Sequence, residues 1–372
     1  MGHVSREPGV LVNGPKLQLS YLEFNCDLSE PCTLAPHAAV IGRTTVGAGL
    51  TLRDYATLRA DGERTSIGVN AYFGERATVH IADGVLAATI GNDVTVGRFG
   101  LVHACTLGDG VVVGEAAAVT DGAVVGAYSL VAADSLVPPR KNLPGGWLYA
   151  GNPAQPMREI ARDELAAAAE ALRAGKPFPG VTSSCLPPLS QAPFIPEGVS
   201  GGPVHAWSGR TPRIARAYIA PNSAVVGAVD VADAAGIYFG CAVAAADGRI
   251  VIGPRSNVQD NSILATDRQR GDLVIGSGVT IGHNVQLGSA SIGDDTLIGM
   301  GARVGDEVVV EKGGCIAAGA WVEPGTVVSS GWVWAGRPAR AFRELRASER
   351  GAFAEICKVY VGYSEAYLGK RS

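Results

Sequence analysis

An aliphatic residue followed by glycine recurs along this chain in steps of about six residues. The first half carries Ile41-Gly42, Val46-Gly47, Ile67-Gly68, Ile90-Gly91, Val96-Gly97, Leu107-Gly108, Val113-Gly114 and Val125-Gly126, and the second carries Val226-Gly227, Ile252-Gly253, Ile275-Gly276, Ile281-Gly282, Leu287-Gly288, Ile292-Gly293, Ile298-Gly299 and Val304-Gly305. Such a step is too long for a tight hairpin and too short for a βαβ unit, but it suits one strand and one corner of a parallel β-helix. The pattern therefore predicts triangular coils of about 18 residues around an aliphatic column.

The two halves of the chain are copies of one another. The constant shift that places Ala35-Pro36 on Ala220-Pro221 also places Val96-Gly97 on Ile281-Gly282, without a gap. Near the end of each copy, Trp147 and the run Ala150-Gly151-Asn152-Pro153-Ala154 return at the same shift as Trp332 and Ala335-Gly336-Arg337-Pro338-Ala339. We therefore predict an all-β dominated chain of two tandem parallel β-helix domains, each followed by an α-helix.

Breaks in the repeat predict the domain boundaries. Residues 1–29 form an N-terminal segment, 30–175 the first β-helix domain with its flanking helix, 176–212 a Pro/Ser-rich linker, and 213–372 the second domain with a C-terminal helix and tail. We expect Pro138-Pro139 to end the first β-helix and a helix to follow from Met157 to about Ala174. The second helix is expected to start near Pro338 and run toward Tyr360, leaving an aromatic tail.

Composition excludes several classes of partner. With 31 Lys+Arg against 35 Asp+Glu and a net charge of -4, the chain has no basic field for nucleic acid. No window reaches the roughly 18 apolar residues of a spanning helix, so we expect no membrane partner. Seven cysteines, an odd number without CxxC pairs, fit a reduced, cytoplasmic setting. A small-molecule substrate is the partner that we expect.

Three histidines occupy complementary positions in the two copies. At the shift that relates the copies, His80 faces Ala265, Arg98 faces His283, and His103 faces Gly288. Neither copy holds the full set, but together they hold one of each, which predicts a site built across the two domains. Positions 80 and 98 are one predicted coil apart, so we expect them to stack on successive coils, with position 103 near the next corner.

Several motifs surround these histidines. They are Arg59-Ala60-Asp61, Thr78-Val79-His80, Val102-His103-Ala104-Cys105-Thr106-Leu107-Gly108, Asn257-Val258-Gln259-Asp260, Ile281-Gly282-His283, Leu297-Ile298-Gly299-Met300-Gly301-Ala302 and the Trp-x-x-Ala-Gly-x-Pro-Ala ending of each copy. Together they resemble two fused γ-class carbonic anhydrase domains, of the left-handed β-helix hexapeptide family. The resemblance covers nearly all of both copies and implies left-handed β-helices.

The resemblance implies a metal site shared between domains. Family members hold zinc between subunits, with two histidines from one subunit and a third from its neighbour, which here implies His80 and His103 with His283. Three imidazoles and an open fourth position form a catalytic zinc arrangement that lowers the pKa of bound water to about 7 and supplies hydroxide. Iron or cobalt are alternatives to zinc. In a ring of first domains alone, Arg98 would stand at the third position, and a guanidinium does not coordinate metal.

The resemblance also implies roles for neighbouring side chains. Arg59 and Asp61 match a pair that ties the interface and touches the site, whereas their second-copy counterparts are alanines. Asn257 and Gln259 match an amide pair that handles the water or substrate, and Gln259 is the one expected to face the metal. Glu75 is a further candidate for proton transfer. Arg98 is assigned to the interface.

These implications leave three functions open. The first is a zinc-dependent lyase whose metal-bound hydroxide acts on CO2 or another small carbonyl compound by hydration, dehydration or cyclisation. The loop from His80 to Thr89 is short, with Asp83 as its only acid, so CO2 hydration itself stays open. The second is an acyl-CoA-dependent acyltransferase that uses His103 or His283 as base. The third is a non-catalytic scaffold. A homo-oligomer through the β-helix faces, and pairing of the domains within or between chains, also remain open.

Overall fold

The computed structural model describes residues 17–176, 203–266 and 271–369, and it shows short parallel strands stacked in coils. Each copy contains one 12-stranded sheet and one 8-stranded sheet. The 12-stranded sheet of the first copy bends at Thr57–Ile67, because the two ends of this long strand pair with different neighbours. The sheets thus enclose a prism, and the predicted β-dominated, parallel β-helix fold class is confirmed.

The first copy forms twenty strands and one helix. They are β1 Leu17–Leu19, β2 Asp27–Leu28, β3 Cys32–Leu34, β4 Ala39–Val46, β5 Leu50–Leu52, β6 Thr57–Ile67, β7 Tyr72–Phe73, β8 Thr78–His80, β9 Ala88–Ile90, β10 Thr95–Val96, β11 Leu101–His103, β12 Thr106–Leu107, β13 Val112–Val113, β14 Ala118–Val119, β15 Val124–Val125, β16 Leu130–Val131, β17 Leu136–Val137, β18 Asn142–Leu143, β19 Trp147–Gly151, β20 Ala154–Glu159 and α1 Arg162–Arg173. Within the described residues, only β19 and β20 pair antiparallel among these named strands.

The second copy repeats this order. Its elements are β21 Val204–His205, β22 Arg213–Ile214, β23 Tyr218–Ile219, β24 Ala224–Val231, β25 Gly236–Ile237, β26 Ala242–Ile252, β27 Asn257–Val258, β28 Ile263–Thr266, β29 Leu273–Ile275, β30 Thr280–Ile281, β31 Gln286–Leu287, β32 Ala290–Ile292, β33 Leu297–Ile298, β34 Arg303–Val304, β35 Val308–Val310, β36 Cys315–Ile316, β37 Trp321–Val322, β38 Val327–Val328, β39 Trp332–Gly336, β40 Ala339–Glu344 and α2 Ala347–Tyr367. No helix in the described ranges combines the length and the apolar character needed to cross a bilayer.

The coil period follows from the register of the ladders. Val112 pairs with Leu130 and Ala118 with Leu136, so each pair is separated by one regular coil, as the six-residue step predicts. Apart from Ile41 and Val226, which pack in other clusters, the aliphatic residue of each step points inward, and these side chains form one buried column in each copy. Burial of such a column is the main favourable contribution to stability in a fold with so few aromatic residues.

One coil of the first copy is longer than the others. His80 pairs with His103 instead of position 98, because the segment after β8 turns back at the Ala82–Leu86 bridge before the next strand begins. The expectation that positions 80 and 98 stack is therefore wrong. The two first-copy histidines lie directly above one another instead.

The expected ends of the regular elements also need correction. The first β-helix continues beyond Pro138-Pro139, because these prolines occupy a corner after β17, where the ladder needs no amide donor. The first helix begins at Arg162, and Met157 lies in β20. The β20 strand is exposed after its first residue, so it has no alternating pattern that could have predicted it.

The second helix begins at Ala347 and extends to Tyr367, so it includes the tyrosines of the expected aromatic tail. Its predicted start at Pro338 lies in the turn between β39 and β40, which pair as an antiparallel hairpin. Most of the predicted linker, 176–212, and the first part of the predicted N-terminal segment lie outside the described residues.

The two β-helices lie side by side within one chain. Asn261 donates from Nδ2 to Thr78 Oγ1 at 2.9 Å, and Asn284 donates from Nδ2 to the carbonyl of Phe99 at 3.2 Å. Arg303 of the second copy pairs with Asp134 of the first at 2.6 Å. Residues 99 and 284 are equivalent in the repeat, so this contact lies close to the axis that relates the copies. The packing places the 8-stranded sheet of the second copy beside the histidines of the first.

Candidate metal centre

The three candidate ligands come together between the copies. His80 ends β8, His103 ends β11 directly above it, and His283 follows β30 in the second copy. One ligand nitrogen from each lies within 4.8 Å of the other two. His80 Nδ1 and His103 Nε2 are 3.3 Å apart, and all three side chains are buried. Among the described residues, this is the one group of three or more His, Cys, Asp or Glu side chains arranged to hold an ion.

A carboxylate faces the second nitrogen of each imidazole. His80 Nε2 lies 3.5 Å from Asp61, and His283 Nδ1 lies 3.2 Å from Asp260. His103 Nδ1 makes a short contact with Asp121. A proton held between a ring nitrogen and a carboxylate leaves the other nitrogen with its lone pair toward the centre of the cluster. The arrangement therefore favours this tautomer in His80 and His103, and the Asp260 carboxylate lies 3.2 Å from His283 Nδ1 on the corresponding side of the third ring.

Burial keeps two of these imidazoles neutral. Desolvation holds the pKa of His80 well below its usual value, and the nearby positive charge of Arg59 acts in the same direction. Desolvation also lowers the pKa of His283 to about 4, even though Asp260 opposes the shift. Burial alone would raise the pKa of the Asp121 carboxyl, but the hydrogen bond from His103 holds this pKa below its usual value. Neutral imidazole is the form that binds metal.

The donor set fits a divalent ion such as zinc. Two nitrogens bound at about 2.0 to 2.1 Å in a tetrahedral site lie roughly 3.3 to 3.4 Å apart. The 3.3 Å between His80 Nδ1 and His103 Nε2 matches this spacing. In zinc sites, the ligating imidazoles donate their second ring N–H to carboxylates, and each of these three histidines has a carboxylate beside its second ring nitrogen.

Arg59 links the carboxylates of the two copies. Its Nε lies 2.5 Å from Asp61 Oδ2, and its NH1 lies 3.1 Å from Asp260 Oδ2. These carboxylates face His80 and His283, respectively, so the guanidinium lies behind ligands from both copies. Burial alone would lower the pKa of Arg59, but the two carboxylates hold it above its usual value. The pKa values of the two carboxylates shift in opposite directions. Burial raises the pKa of Asp61. At Asp260, Arg59 and His283 outweigh burial and hold the pKa below its usual value.

The predicted amide pair is oriented by one hydrogen bond. Gln259 donates from Nε2 to Asn257 Oδ1 at 3.1 Å, and Asn257 donates in turn to Thr280 Oγ1 at 3.0 Å. Gln259 lines the cavity beside His80 and His103, whereas Asn257 lies behind it.

Two other predicted site residues lie elsewhere. Glu75 is an exposed residue at a corner and does not line the cavity. Arg98 pairs with Glu115 of its own copy, and its side chain is 38% exposed. The reciprocal positions in the second copy, Ala265 and Gly288, carry no side-chain donor.

The C-terminal helix covers the cluster. The Tyr360 hydroxyl of α2 lies 3.4 Å from His283 Nε2, and Tyr367 donates a short hydrogen bond to Asp61. Tyr360 and Tyr363 pack with aromatic and aliphatic side chains of both copies. A cavity of about 650 Å³ opens from the cluster along this helix. The buried tyrosines were missed because the aromatic spacing was read as a tail instead of one face of a helix.

Sequence reasoning also missed two carboxylates. Asp260 stands at the end of the quoted Asn257-Val258-Gln259-Asp260 motif, and Asp121 lies one regular coil after His103. In a β-helix, a spacing of one coil places two residues on the same face, so the position of Asp121 could have predicted its contact with His103. No comparable signal links Asp260 to His283, although their separation equals the longer offset that joins His80 to His103.

No protein-family model matches the chain. The chain is 35% identical over 165 residues to a carbonic anhydrase of Geobacillus kaustophilus, which covers 44% of this chain and 90% of that protein. It is 36% identical over 161 residues to gamma carbonic anhydrase 1, mitochondrial, of Arabidopsis thaliana, over 42% of this chain and 58% of the relative. It thus spans somewhat more than half the length of that plant relative. Among solved structures, a hexapeptide transferase family protein from Anaplasma phagocytophilum is 33% identical over 45% of this chain and 98% of that chain, with a TM-score of 0.42.

Proposed function

This chain belongs to the γ-carbonic anhydrase family, and from that membership we propose that it is a metalloenzyme with a single composite site between its two copies. The site acts on CO2 or another small carbonyl compound by hydration, dehydration or cyclisation. The observation that carries the proposal is the convergence of His80, His103 and His283, from two copies, with their ligand nitrogens within 4.8 Å of one another. Zinc is the proposed metal, with iron or cobalt as alternatives.

The residues of the chain divide the work around the metal. His80, His103 and His283 hold it, and a divalent ion in such a site lowers the pKa of a water ligand and supplies hydroxide near neutral pH. Asp61, Asp121 and Asp260 keep the outer imidazole protons in place, so each ring presents a lone pair inward. Arg59 holds Asp61 and Asp260 together across the interface.

Two polar groups are placed to handle the substrate. The amide of Gln259 lines the cavity and is fixed by Asn257, so it is positioned to bind a substrate oxygen. The Tyr360 hydroxyl, 3.4 Å from His283 Nε2, is positioned to donate to a group beside the metal. Both lie at the buried end of the cavity, where a hydrogen bond to the substrate is stronger than the same bond in water.

The other two functions receive less support. A bound acyl-CoA would bring a pyrophosphate, but the described residues that line the cavity include no Lys or Arg to meet it. A scaffold would gain nothing from three buried imidazoles whose nitrogens converge within 4.8 Å, because burial of polar groups costs stability. The geometry therefore favours a metalloenzyme over both alternatives.

Metal content tests the proposal. Purification without chelator is expected to give about one zinc per chain for the wild type, and none for His80→Ala or His283→Ala. His37, which stacks on Tyr55 away from the cluster, provides the matched control His37→Ala, which should keep its zinc. Stopped-flow CO2 hydration on the same samples then assigns the reaction. Full zinc retention in His283→Ala would show that the copies do not share a site.

A further inference from the structure

The cavity that reaches the histidine cluster is much larger than CO2 requires. Its volume is about 650 Å³, and a water molecule takes up about 30 Å³ of liquid, so it has room for about twenty water-sized groups. Pockets of about 300 to 1,000 Å³ bind ligands the size of drugs and metabolites. A molecule of three heavy atoms would leave most of this space to water.

The wall of the cavity is mainly aliphatic. Outside the buried end, its surface comes from coils of the second copy and from one face of α2, and the principal side chains are Leu297, Met300, Ile356 and Val359, with the small side chains of Ala317 and Ala318 between them. Val359 is 41% exposed although it belongs to a helix that packs against the β-helix. Water beside such a wall is released when an apolar ligand covers it, which favours binding of a chain of methylene groups.

The polar groups of the lining are few. His80, His103, Gln259 and Asp121 lie at the cluster, and Asp83 and Glu355 are two exposed acidic residues of the lining. The described residues of the lining contribute acidic side chains and no Lys or Arg. An anionic ligand would meet repulsion from these acidic side chains on its way to the cluster, whereas an uncharged one would not.

On these grounds we propose that the substrate is an uncharged carbonyl compound with an extended apolar chain, whose carbonyl group lies at the histidine cluster and whose chain lies along α2. This inference rests on the proposed function for the chemistry at the carbonyl. In a hydration, the water oxygen forms a bond to the carbonyl carbon, the π pair moves to the carbonyl oxygen, and the water proton ends on that oxygen. No oxidant or further reactant is required.

Calorimetric titration of two ligand series tests the substrate class. The first series is acetohydroxamic to octanohydroxamic acid, which carry a metal-binding head, and the second is butanol to octanol, which do not. Each is titrated into zinc-loaded protein and into protein treated with EDTA. We expect Kd to fall by about fourfold for each added methylene in both series. A Kd independent of chain length would overturn the proposal.

A pair of helix variants locates the binding site. Val359→Trp fills the apolar part of the cavity and should raise the Kd of octanohydroxamic acid by at least tenfold. The Kd of acetohydroxamic acid should stay within about twofold of the wild-type value. The matched control is Ala354→Trp, an exposed position on the same helix that does not line the cavity, and it should change neither ligand. Equal effects of the two variants would contradict the assigned position of the chain.

The two series separate the two proposals. If the site holds no metal, hydroxamic acids will bind no better than alkanols, but the dependence of Kd on chain length will persist, so the proposed function fails and the apolar binding site along α2 stands. If hydroxamic acids bind in a metal-dependent manner without dependence on chain length, the inference fails and the metal site stands.

Discussion

Arg59 of the first copy and Asp260 of the second form an ion pair at 3.1 Å in which neither side chain has any exposed surface. The same guanidinium lies 2.5 Å from Asp61, and five aromatic rings surround it, the farthest with its centroid at 5.9 Å. Because the partners are 201 residues apart, this contact couples the packing of the two β-helices to the orientation of His80 and His283.

Arg59→Met should destabilise the protein strongly. The substitution leaves two buried carboxylates without their cation, and removal of one partner from a buried pair costs about 3 to 5 kcal/mol. Urea denaturation measures the change in the free energy of unfolding. The control is Arg98→Met, which breaks a partly exposed pair with Glu115 and should cost less than about 1 kcal/mol. Similar losses in the two variants would contradict the role assigned to Arg59.

Asp121→Asn should weaken metal binding without unfolding the chain. The carboxylate accepts the outer proton of His103, and loss of such a partner lowers metal affinity by about 10- to 100-fold. Competition with a chromogenic chelator gives the zinc Kd. Glu115→Gln removes a carboxylate from the preceding corner of the same coil, which contacts Arg98 instead of a histidine, so its zinc Kd should match that of the wild type.

Tyr360→Phe should lower turnover while zinc content stays unchanged. The hydroxyl lies 3.4 Å from His283 Nε2, and Tyr360 lines the cavity. Its loss removes one hydrogen bond at the reacting end, so kcat/KM should fall by about tenfold. Tyr363→Phe is the matched control, since this ring lines the same cavity and has no hydrogen bond to a histidine of the cluster among the described contacts. Loss of zinc in Tyr360→Phe would show that the hydroxyl supports metal binding instead of turnover.

The metal-free protein should lose stability as the pH falls from about 6.5 to about 4. The pKa of His283 is about 4 in the folded chain and 6.5 as a free side chain, so between these values the unfolded state binds more protons. Stability therefore rises with pH across this window, by about 3 kcal/mol for this residue. His80 acts in the same direction because its pKa is also lowered.

Urea denaturation in EDTA at pH 7.5, 6.5, 5.5 and 4.5 measures this dependence. His283→Ala should show a shallower fall with pH, because it no longer has the residue that protonates only on unfolding. An equal slope for wild type and variant would show that His283 is not held neutral in the folded chain.

Periodic features of the fold could be predicted from the sequence because they repeat locally. Each coil needs an inward aliphatic residue and a corner, so the six-residue step predicts the β-helix, and the constant shift between the two halves predicts its duplication. The complementary positions of His80, His103 and His283 also identified the candidate ligands. The six-residue step, the duplication and the histidine positions can all be found by comparing residues at fixed spacings along the chain.

Only the tertiary structure decided which residues meet. The turn at Ala82–Leu86 lengthens one coil and places His80 under His103, and no hexapeptide pattern records the length of such an insertion. The boundaries of α1 and α2 depend on hairpins whose second strands, β20 and β40, are mostly exposed and therefore lack alternation. The contacts of Arg59 with Asp260, and of Tyr360 with His283, join residues that are distant in sequence, where burial and packing of the two copies, not local propensity, determine the partner.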